Sequence, residues 1–396
     1  MLIHSPKIIT EGLVLYYDMH NTKKSWKGKP TTNLYGGFGT SQSLRSNTRH
    51  GWNGTGWTDS PLALSGPDLN VEYVWKFTSG SLNSIWDGNS YGYMYKDMPT
   101  ANGIHYTGSF YCFVSLDCNI DLLPASSEIT SGYNTLNLAS SYDMSKKGTW
   151  QRIGVSTTGN GSTSRFLAYP QKYGVVDGSF TGHFLIAAPM FEVGLFASEY
   201  TPNTRSDTQA LIDLTNNFSL NAGLTYSSNN TFSFNGGTNR IITNATINNL
   251  GTTWEAWINC FQTSPNFSMF MGSYLPYFSF YNDNSLVFSN IIGDTQQTIK
   301  SPATLNINTW YHAAFTTIPS GNNTIATIYV NGELVKSETQ VGLQNAPGAV
   351  FTIGDGQASQ WYPFNGSIPN VKVYNRTLSS TEIKQNFNAN RSRYGI

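Results

Sequence analysis

Hydrophobic and polar residues alternate along much of this chain with a period of two, the spacing of a strand. The clearest case lies at residues 322–335. Ile325, Thr327 and Tyr329 interleave with Ala326, Ile328 and Val330. Asn331-Gly332 then supplies two residues that tolerate positive φ, and Glu333-Leu334-Val335-Lys336 returns. This pattern predicts a hairpin with a type I′ turn. Residues 308–316 and 252–261 also read as strands, with apolar residues on both parities, so both of their faces are expected to be covered. Further strands are expected at 268–273, 276–282 and 285–289, with a short one at 351–354. The last strand is expected at 367–374, where Pro369 points to an edge or a bulge. In the first half, residues 11–18, 71–78, 104–115 and 149–157 read as strands. One helix is expected. Ser379-Ser380-Thr381-Glu382 has the form of a capping box, and Ile383 and Phe387 follow at helical spacing.

Composition narrows the class. The 396 residues suffice for two or three domains, each with its own core. Charged residues make up 12 % and aromatics 14 %, against roughly 25 % charge in ordinary globular chains. With abundant Gly, Asn, Ser and Thr, this fits short strands and tight loops rather than helical bundles. Basic and acidic residues balance at 23 each, and no basic run is interleaved with aromatics. Nucleic acid is therefore not an expected partner, because its binding depends on neutralising phosphates. No apolar run approaches the ~20 residues of a membrane span, and residues 1–6 lack the apolar stretch of a secretory signal. The Asn-x-Ser/Thr triplets at 244–246 and 375–377 follow from the composition alone. Three cysteines, Cys112, Cys118 and Cys260, cannot all pair within the chain. The Cys112–Cys118 spacing permits a bridge, but buried free thiols are the expectation.

The C-terminal text carries a resemblance. "TWEAWINCF", "NTWYHAAFT", "IYVNGELV", "FTIGDG" and "FNGSIPNVKVYNRTLSSTEIKQNFN" occur in the order and spacing of a laminin-G-like, concanavalin-A-type domain. The resemblance covers about 140 residues and implies a sandwich of two antiparallel sheets. It implies no single function, because such folds host many. Near the N-terminus, "EGLVLYYD" followed by "NTKKSW" resembles the opening of laminin-G-like domains in bacteriophage structural proteins. There, the opening leads directly into text that here stands far away, at Leu211-Ile212-Asp213-Leu214-Thr215-Asn216-Asn217 and Phe232-Ser233-Phe234-Asn235-Gly236. The expected organisation is therefore a discontinuous sandwich of residues 1–29 and 206–396, interrupted by residues 30–205. The interrupting stretch contains "GTWQRIGVSTT", "APMFEVG" and "TPNTR", and resembles the jelly-roll modules of the carbohydrate-binding type. The expected fold class is all-β, two antiparallel β-sandwiches of jelly-roll and concanavalin-A-like kind, one inserted in the other.

The sequence carries no recognisable catalytic constellation. The histidines are scattered, and no HExxH, GxSxG, P-loop or GxGxxG occurs. Glu255 and Glu192 lie in expected strands without the paired carboxylate that glycoside hydrolysis needs. Glu192 belongs to the module's pattern and is expected as a buried hydrogen-bond acceptor, and His312 as a hydrogen-bonded core histidine. The protein is expected not to be an enzyme and to need no cofactor. Some laminin-G-like domains hold calcium through loop carboxylates, and Asp283, Asp294 and Asp355 are the candidates here, with turn capping or solvation as the competing reading.

Carbohydrate binding is the remaining chemistry. Sugars pack their C–H faces on aromatic rings while amides and carboxylates bond their hydroxyls. Trp361, Tyr362, Trp57, Trp86 and Tyr93 stand in expected loops and are the candidate glycan-binding residues, with Trp52 and Tyr91 beside them. The competing reading packs these rings locally or against another subunit. Three functional readings follow. The first is a virion protein on the surface of a tailed bacteriophage, a fibre, decoration or tail-associated component, with other virion proteins and host-surface glycans as partners and self-association left open. The second is a bacterial carbohydrate-binding adhesin or lectin. The third, a polysaccharide-degrading enzyme, lacks a stretch of sequence for its catalytic domain.

Overall fold

The computed structural model describes the chain apart from residues 1–5, 36–56, 62–72, 79–93, 120–121, 129–137, 140–141, 171–180, 202–203, 224–232, 238, 248–249, 263–266, 274, 293–294, 344–349 and 356–361. The described residues form antiparallel sheets, with α-helices at Asp207–Ala210 and Ser380–Asn390. No helix among them is long and apolar enough to cross a membrane. They divide into two compact units, one built from residues up to Lys29 and from Ser206 onward, the other from Pro30–Arg205.

The first unit contains two seven-stranded sheets. One runs in the order Leu13–Asp18, Asn365–Tyr374, Thr253–Gln262, Trp310–Ser320, Asn323–Val330, Glu333–Val341, with Phe234–Asn235 also paired to Asn365–Tyr374. The other runs Leu220–Gly223, Arg240–Thr243, Thr352–Ile353, Phe267–Gly272, Tyr277–Tyr281, Leu286–Ile292, Thr295–Lys300. Their facing side chains form one core. Phe288 stacks on Phe315 with centroids 3.9 Å apart, and Trp254 lies 4.8 Å from Phe315 and 4.9 Å from Phe351. Each such buried ring contributes about 1.5–3 kcal/mol. At the rim the sheets are joined by Gln297, which donates from Nε2 to the Val341 carbonyl (2.7 Å) and accepts at Oε1 from the Val341 N–H (3.1 Å).

Local chemistry explains the turns. Asn331 and Gly332 take φ of 51° and 78°, as the type I′ hairpin requires. Pro369 sits in a bulge of an interior strand, not at an edge: Trp257 faces Asn370 and Asn259 faces Ser367, so Ile368 and Pro369 oppose one residue. The second parity of Thr253–Gln262 is covered by the C-terminal helix. Ser379 Oγ accepts from the Glu382 N–H (3.3 Å), and Glu382 Oε2 accepts from the Ser379 N–H (2.8 Å), closing the capping box. Phe387 and Tyr394 then stack on Trp257 at 5.8 and 4.1 Å.

The N-terminal strand Leu13–Asp18 pairs antiparallel with the last strand, Asn365–Tyr374. Buried Asp213 ties it to the distant stretch that matches the same opening: its carboxylate accepts from the N–H groups of Tyr16, Thr215, Asn217 and Phe218. Trp26 bridges to Leu211, and the Lys27 N–H donates to the Ala210 carbonyl (2.9 Å). Residues 185 positions apart in sequence thus become neighbours, Trp26 to Leu211.

The second unit has a six-stranded sheet in the order Trp57–Pro61, Tyr73–Thr78, His183–Val193, His105–Val114, Trp150–Thr158, Leu138–Ala139. A three-stranded sheet, Met94–Pro99, Thr163–Pro170, Leu122–Glu128, packs on it. Phe110, Cys112, Ile153, Phe184, Ile186 and, from the smaller sheet, Phe166 build the core. Entry and exit meet in a short ladder between Thr31–Thr32 and Thr204–Arg205. Asn33 Nδ2 donates to the Pro189 and Thr201 carbonyls, and its Oδ1 accepts from the Phe191 N–H. Cys112, Cys118 and Cys260 are buried and not joined to one another by a disulfide.

Candidate functional site

An aromatic patch covers part of the outer face of the second sheet of the first unit. Phe278 and Phe280 point into the core, so alternation turns Tyr277, Ser279 and Tyr281 outward. Phe267, directly across from Tyr281, joins them. The Phe267 ring lies 5.1 Å from Tyr277 and 6.1 Å from Tyr281, in planes within 7° and 12° of its own. Tyr362 closes the patch, 4.0 Å from Phe267. Its φ of 63° lies in the left-handed region that bulky residues seldom enter. The Tyr362 carbonyl accepts from the Met269 N–H (2.9 Å), and Pro363 bridges to Met269, holding the segment along the strand Phe267–Gly272. Phe267, Tyr281 and Tyr362 are half-buried, and Tyr277 is 8 % exposed.

Hydroxyl and amide groups adjoin the rings. Tyr277 pairs with Ser289, and Ser289 with Thr298. Exposed Gln296 donates from Nε2 to Ser289 Oγ (2.8 Å), and the Thr298 and Ser289 hydroxyls lie 3.0 Å apart. Burial lifts the Tyr277 phenol above its ordinary range, against the Ser289 and Gln296 side chains that lower it, so it remains a neutral donor and acceptor. Lys300 lies over the Tyr281 ring at 4.4 Å and is ion-paired to Asp283 at 2.5 Å. Rings with flanking neutral donors and acceptors form a surface that suits a sugar's apolar faces and hydroxyls.

Of the residues singled out in the sequence, Tyr362 belongs to this patch. Trp361, Trp86 and Tyr93 lie outside the described residues, as do Trp52 and Tyr91. Trp57 opens the strand Trp57–Pro61, a position expected to be loop. Phe267, Tyr277 and Tyr281 are not among the residues singled out in the sequence, because "YFSFY" reads locally as a strand and no more. The signal was present in its second parity, which is as aromatic as the one that faces the core.

The other candidates are closed. Glu255, His312 and Lys372 are fully buried beneath the C-terminal helix. Glu255 Oε2 lies 3.6 Å from both His312 Nε2 and Lys372 Nζ. Asn386 Nδ2 donates to Oε1 (3.1 Å) and Oε2 (3.0 Å) of Glu255. Burial alone would raise the Glu255 carboxyl, but His312, the Lys372 charge and Asn386 hold it below the usual range. His312 is a core histidine as expected, yet its ring nitrogens make no hydrogen bond, because Asn386 takes the carboxylate and leaves the imidazole at 3.6 Å. Glu192 accepts from Ser198 N (2.8 Å) and Oγ (2.7 Å) and is fully buried. The calcium candidates are engaged otherwise: Asp283 with Lys300, and buried Asp355 with Arg240 at 3.2 Å. Asp294 lies outside the described residues. Among the described residues, no group of three or more His, Cys, Asp or Glu could hold a metal ion. An open cleft of about 570 Å³ between the hairpin turn and the C-terminal helix is lined by Glu333, Leu334, Lys384 and Gln385 among others, with no aromatic ring among the described residues that line it.

The comparisons bear on this unit. Residues 234–384 match the family Laminin_G_3, described as the Concanavalin A-like lectin/glucanases superfamily. That stretch supplies most strands of the two facing antiparallel sheets, the fold of a concanavalin-A-like sandwich. It contains the aromatic patch, from Phe267 to Tyr362. No curated protein matches the chain. Among solved structures, the binding domain of Paraclostridial Mosquitocidal Protein 1 is 18 % identical, with 45 % of this chain and 49 % of that one covered and a TM-score of 0.33. The CBM40 domain of the Ruminococcus gnavus IT-sialidase is 17 % identical, with 34 % and 80 % covered and a TM-score of 0.29. Domain 4 of the arabinanase AbnA of Geobacillus stearothermophilus is 17 % identical, with 45 % and 91 % covered and a TM-score of 0.36. The chain spans about half the length of the mosquitocidal protein's binding domain and of the botulinum neurotoxin type G receptor-binding domain.

Proposed function

We propose that this protein is a non-catalytic glycan-binding protein whose setting is the surface of a bacteriophage virion. The observation that carries the glycan reading is the half-open patch of Phe267, Tyr277, Tyr281 and Tyr362, flanked by Gln296, Ser289 and Thr298. Its place in a domain of a lectin and glucanase superfamily supports the same reading. Binding there rests on stacking and neutral hydrogen bonds, because the described cation at the patch, Lys300, is already paired. The non-catalytic reading draws support from the carboxylates: Glu255, Glu192 and Asp213 are buried and hydrogen-bonded within the fold.

The virion setting draws its support from the "EGLVLYYD" opening, whose continuation at residues 211–217 is bonded to Tyr16 through Asp213. A bacterial adhesin is the alternative setting for the same glycan chemistry. Two measurements separate the readings. Glycan-array binding by the purified chain, lost in Tyr362→Ala, tests the sugar site. Labelling of intact phage particles with antibody to the chain tests the setting, and label confined to bacterial cell surfaces would favour the adhesin. Reproducible release of reducing ends from host capsule or lipopolysaccharide would overturn the non-catalytic reading.

A further inference from the structure

The strand Glu333–Val341 forms one edge of its sheet, nine residues long, and most of it is exposed. Val341 exchanges both backbone bonds with the Gln297 side chain, so its N–H and carbonyl point away from the neighbouring strand. Backbone groups alternate along an antiparallel strand, which turns those of Thr339 and Ser337 outward as well. Lys336 and Glu338 stand on one face of this edge, half-exposed and 3.3 Å apart. Charges on an edge strand ordinarily discourage pairing with another strand. Their order here has a different consequence.

We propose that this edge is a self-association surface, at which a second copy of the chain adds its own strand Glu333–Val341 antiparallel about a two-fold axis through Ser337. That axis sets Ser337 opposite Ser337 of the partner subunit, with outward backbone groups on both. It sets Lys336 opposite Glu338 of the partner subunit, and Glu338 opposite Lys336 of the partner subunit. Directly opposite residues share a face, so the four charges form an alternating quartet. Moving the axis to Lys336 or to Glu338 instead places like charges face to face, which disfavours those registers. The charge order therefore selects one register and admits this chain as its own partner. Gln297 blocks the backbone of Val341 and limits the added ladder to the middle of the strand, so a reversible dimer is expected.

Charge swaps test the pairing in the full-length chain. Sedimentation equilibrium over a concentration series should show a monomer–dimer equilibrium for the wild type. Lys336→Glu and Glu338→Lys should each weaken dimerisation at least tenfold, because each creates two like-charge pairs. Mixing the two single variants in equal amounts restores opposite charges across the axis and should recover dimers. The double variant Lys336→Glu/Glu338→Lys should also dimerise like the wild type. Unchanged melting temperatures would show that the single variants fold. A wild type that stays monomeric throughout, single variants that dimerise normally, or a mixture that stays monomeric would each overturn the proposal.

Discussion

Replacing Asn386 by alanine should cost the first unit about 3 kcal/mol. Asn386 is fully buried and joins three parts of the chain. Its Nδ2 donates to both oxygens of Glu255 and to the Tyr374 hydroxyl (2.9 Å), and its Oδ1 accepts from the Ile9 N–H (2.8 Å). A hydrogen bond to a charged group contributes about 1.5–3 kcal/mol, and a neutral one about 0.5–1.5 kcal/mol. Losing the bond to Glu255 and the two neutral ones costs about 2.5–6 kcal/mol, and alanine's better helix propensity returns about 0.5 kcal/mol. The remaining partners of Glu255, His312 and Lys372, stand at 3.6 Å and replace little of this. For a unit of this size the loss corresponds to a fall in melting temperature of about 6–12 °C. Asn386→Asp should be at least as damaging, since it sets a second carboxylate against Glu255. Calorimetry would measure both variants, and hydrogen exchange at Ile9 would report release of the N-terminal segment. If Asn386→Ala melts within 2 °C of the wild type, or Asn386→Asp matches the wild type, the buried network does not hold the helix and the N-terminus as argued.

Two further outcomes follow from the same unit. Burial pushes the His312 imidazole down against the opposing Glu255 carboxylate, and Glu255 is held below the usual carboxylate range. In the unfolded chain these groups take protons near about 6.5 and 4.3, and in the folded one only at lower pH, so the unfolded state binds more protons in acid. Melting temperature should therefore fall below about pH 6.5 and fall again below about pH 4.3. A His312→Gln variant should lose the upper step, which a pH series of melts would detect. Gly354→Ala should destabilise by at least about 2 kcal/mol, because φ is 87° and the new Cβ would lie 2.0 Å from the Phe234 ring. Gly321→Ala, at φ 58° with no atom within 4 Å, should cost less than half as much in the same denaturation assay.

What the sequence disclosed was whatever local chemistry enforces. The Asn331-Gly332 turn and the Ser379–Glu382 box are set by backbone φ and by a few short-range hydrogen bonds, so both could be read directly. The alternation at 11–18 identified a strand, and only the distant match at 211–217 pointed to its neighbours. The strand Thr295–Lys300 went unread. It is an edge strand whose Ile299 alone is buried, so "TQQTIK" carries no alternating apolar signal. Pro369 was placed correctly in a bulge as one of two expectations, while its interior position depends on long-range pairing that no local pattern reveals. The aromatic patch was legible only through Tyr362. Sequence marks loop aromatics as candidates, but the gathering of Phe267, Tyr277 and Tyr281 depends on the register between two strands.

The central claim is that sugars bind at that patch. Calorimetric titration of the strongest glycan from an array, into wild type, Phe267→Ala, Tyr362→Ala and Gln296→Ala, tests it most directly. Loss of one stacking ring should weaken binding about tenfold or more, since an aromatic contact contributes about 0.5–1.5 kcal/mol beyond the area it buries. Gln296→Ala should weaken it several-fold, and raising salt from 0.05 to about 0.3 M should leave the affinity nearly unchanged, because screening acts on exposed charges. Wild-type affinity in both ring variants, with binding abolished by that salt, would place the interaction on a charged surface elsewhere and contradict the account.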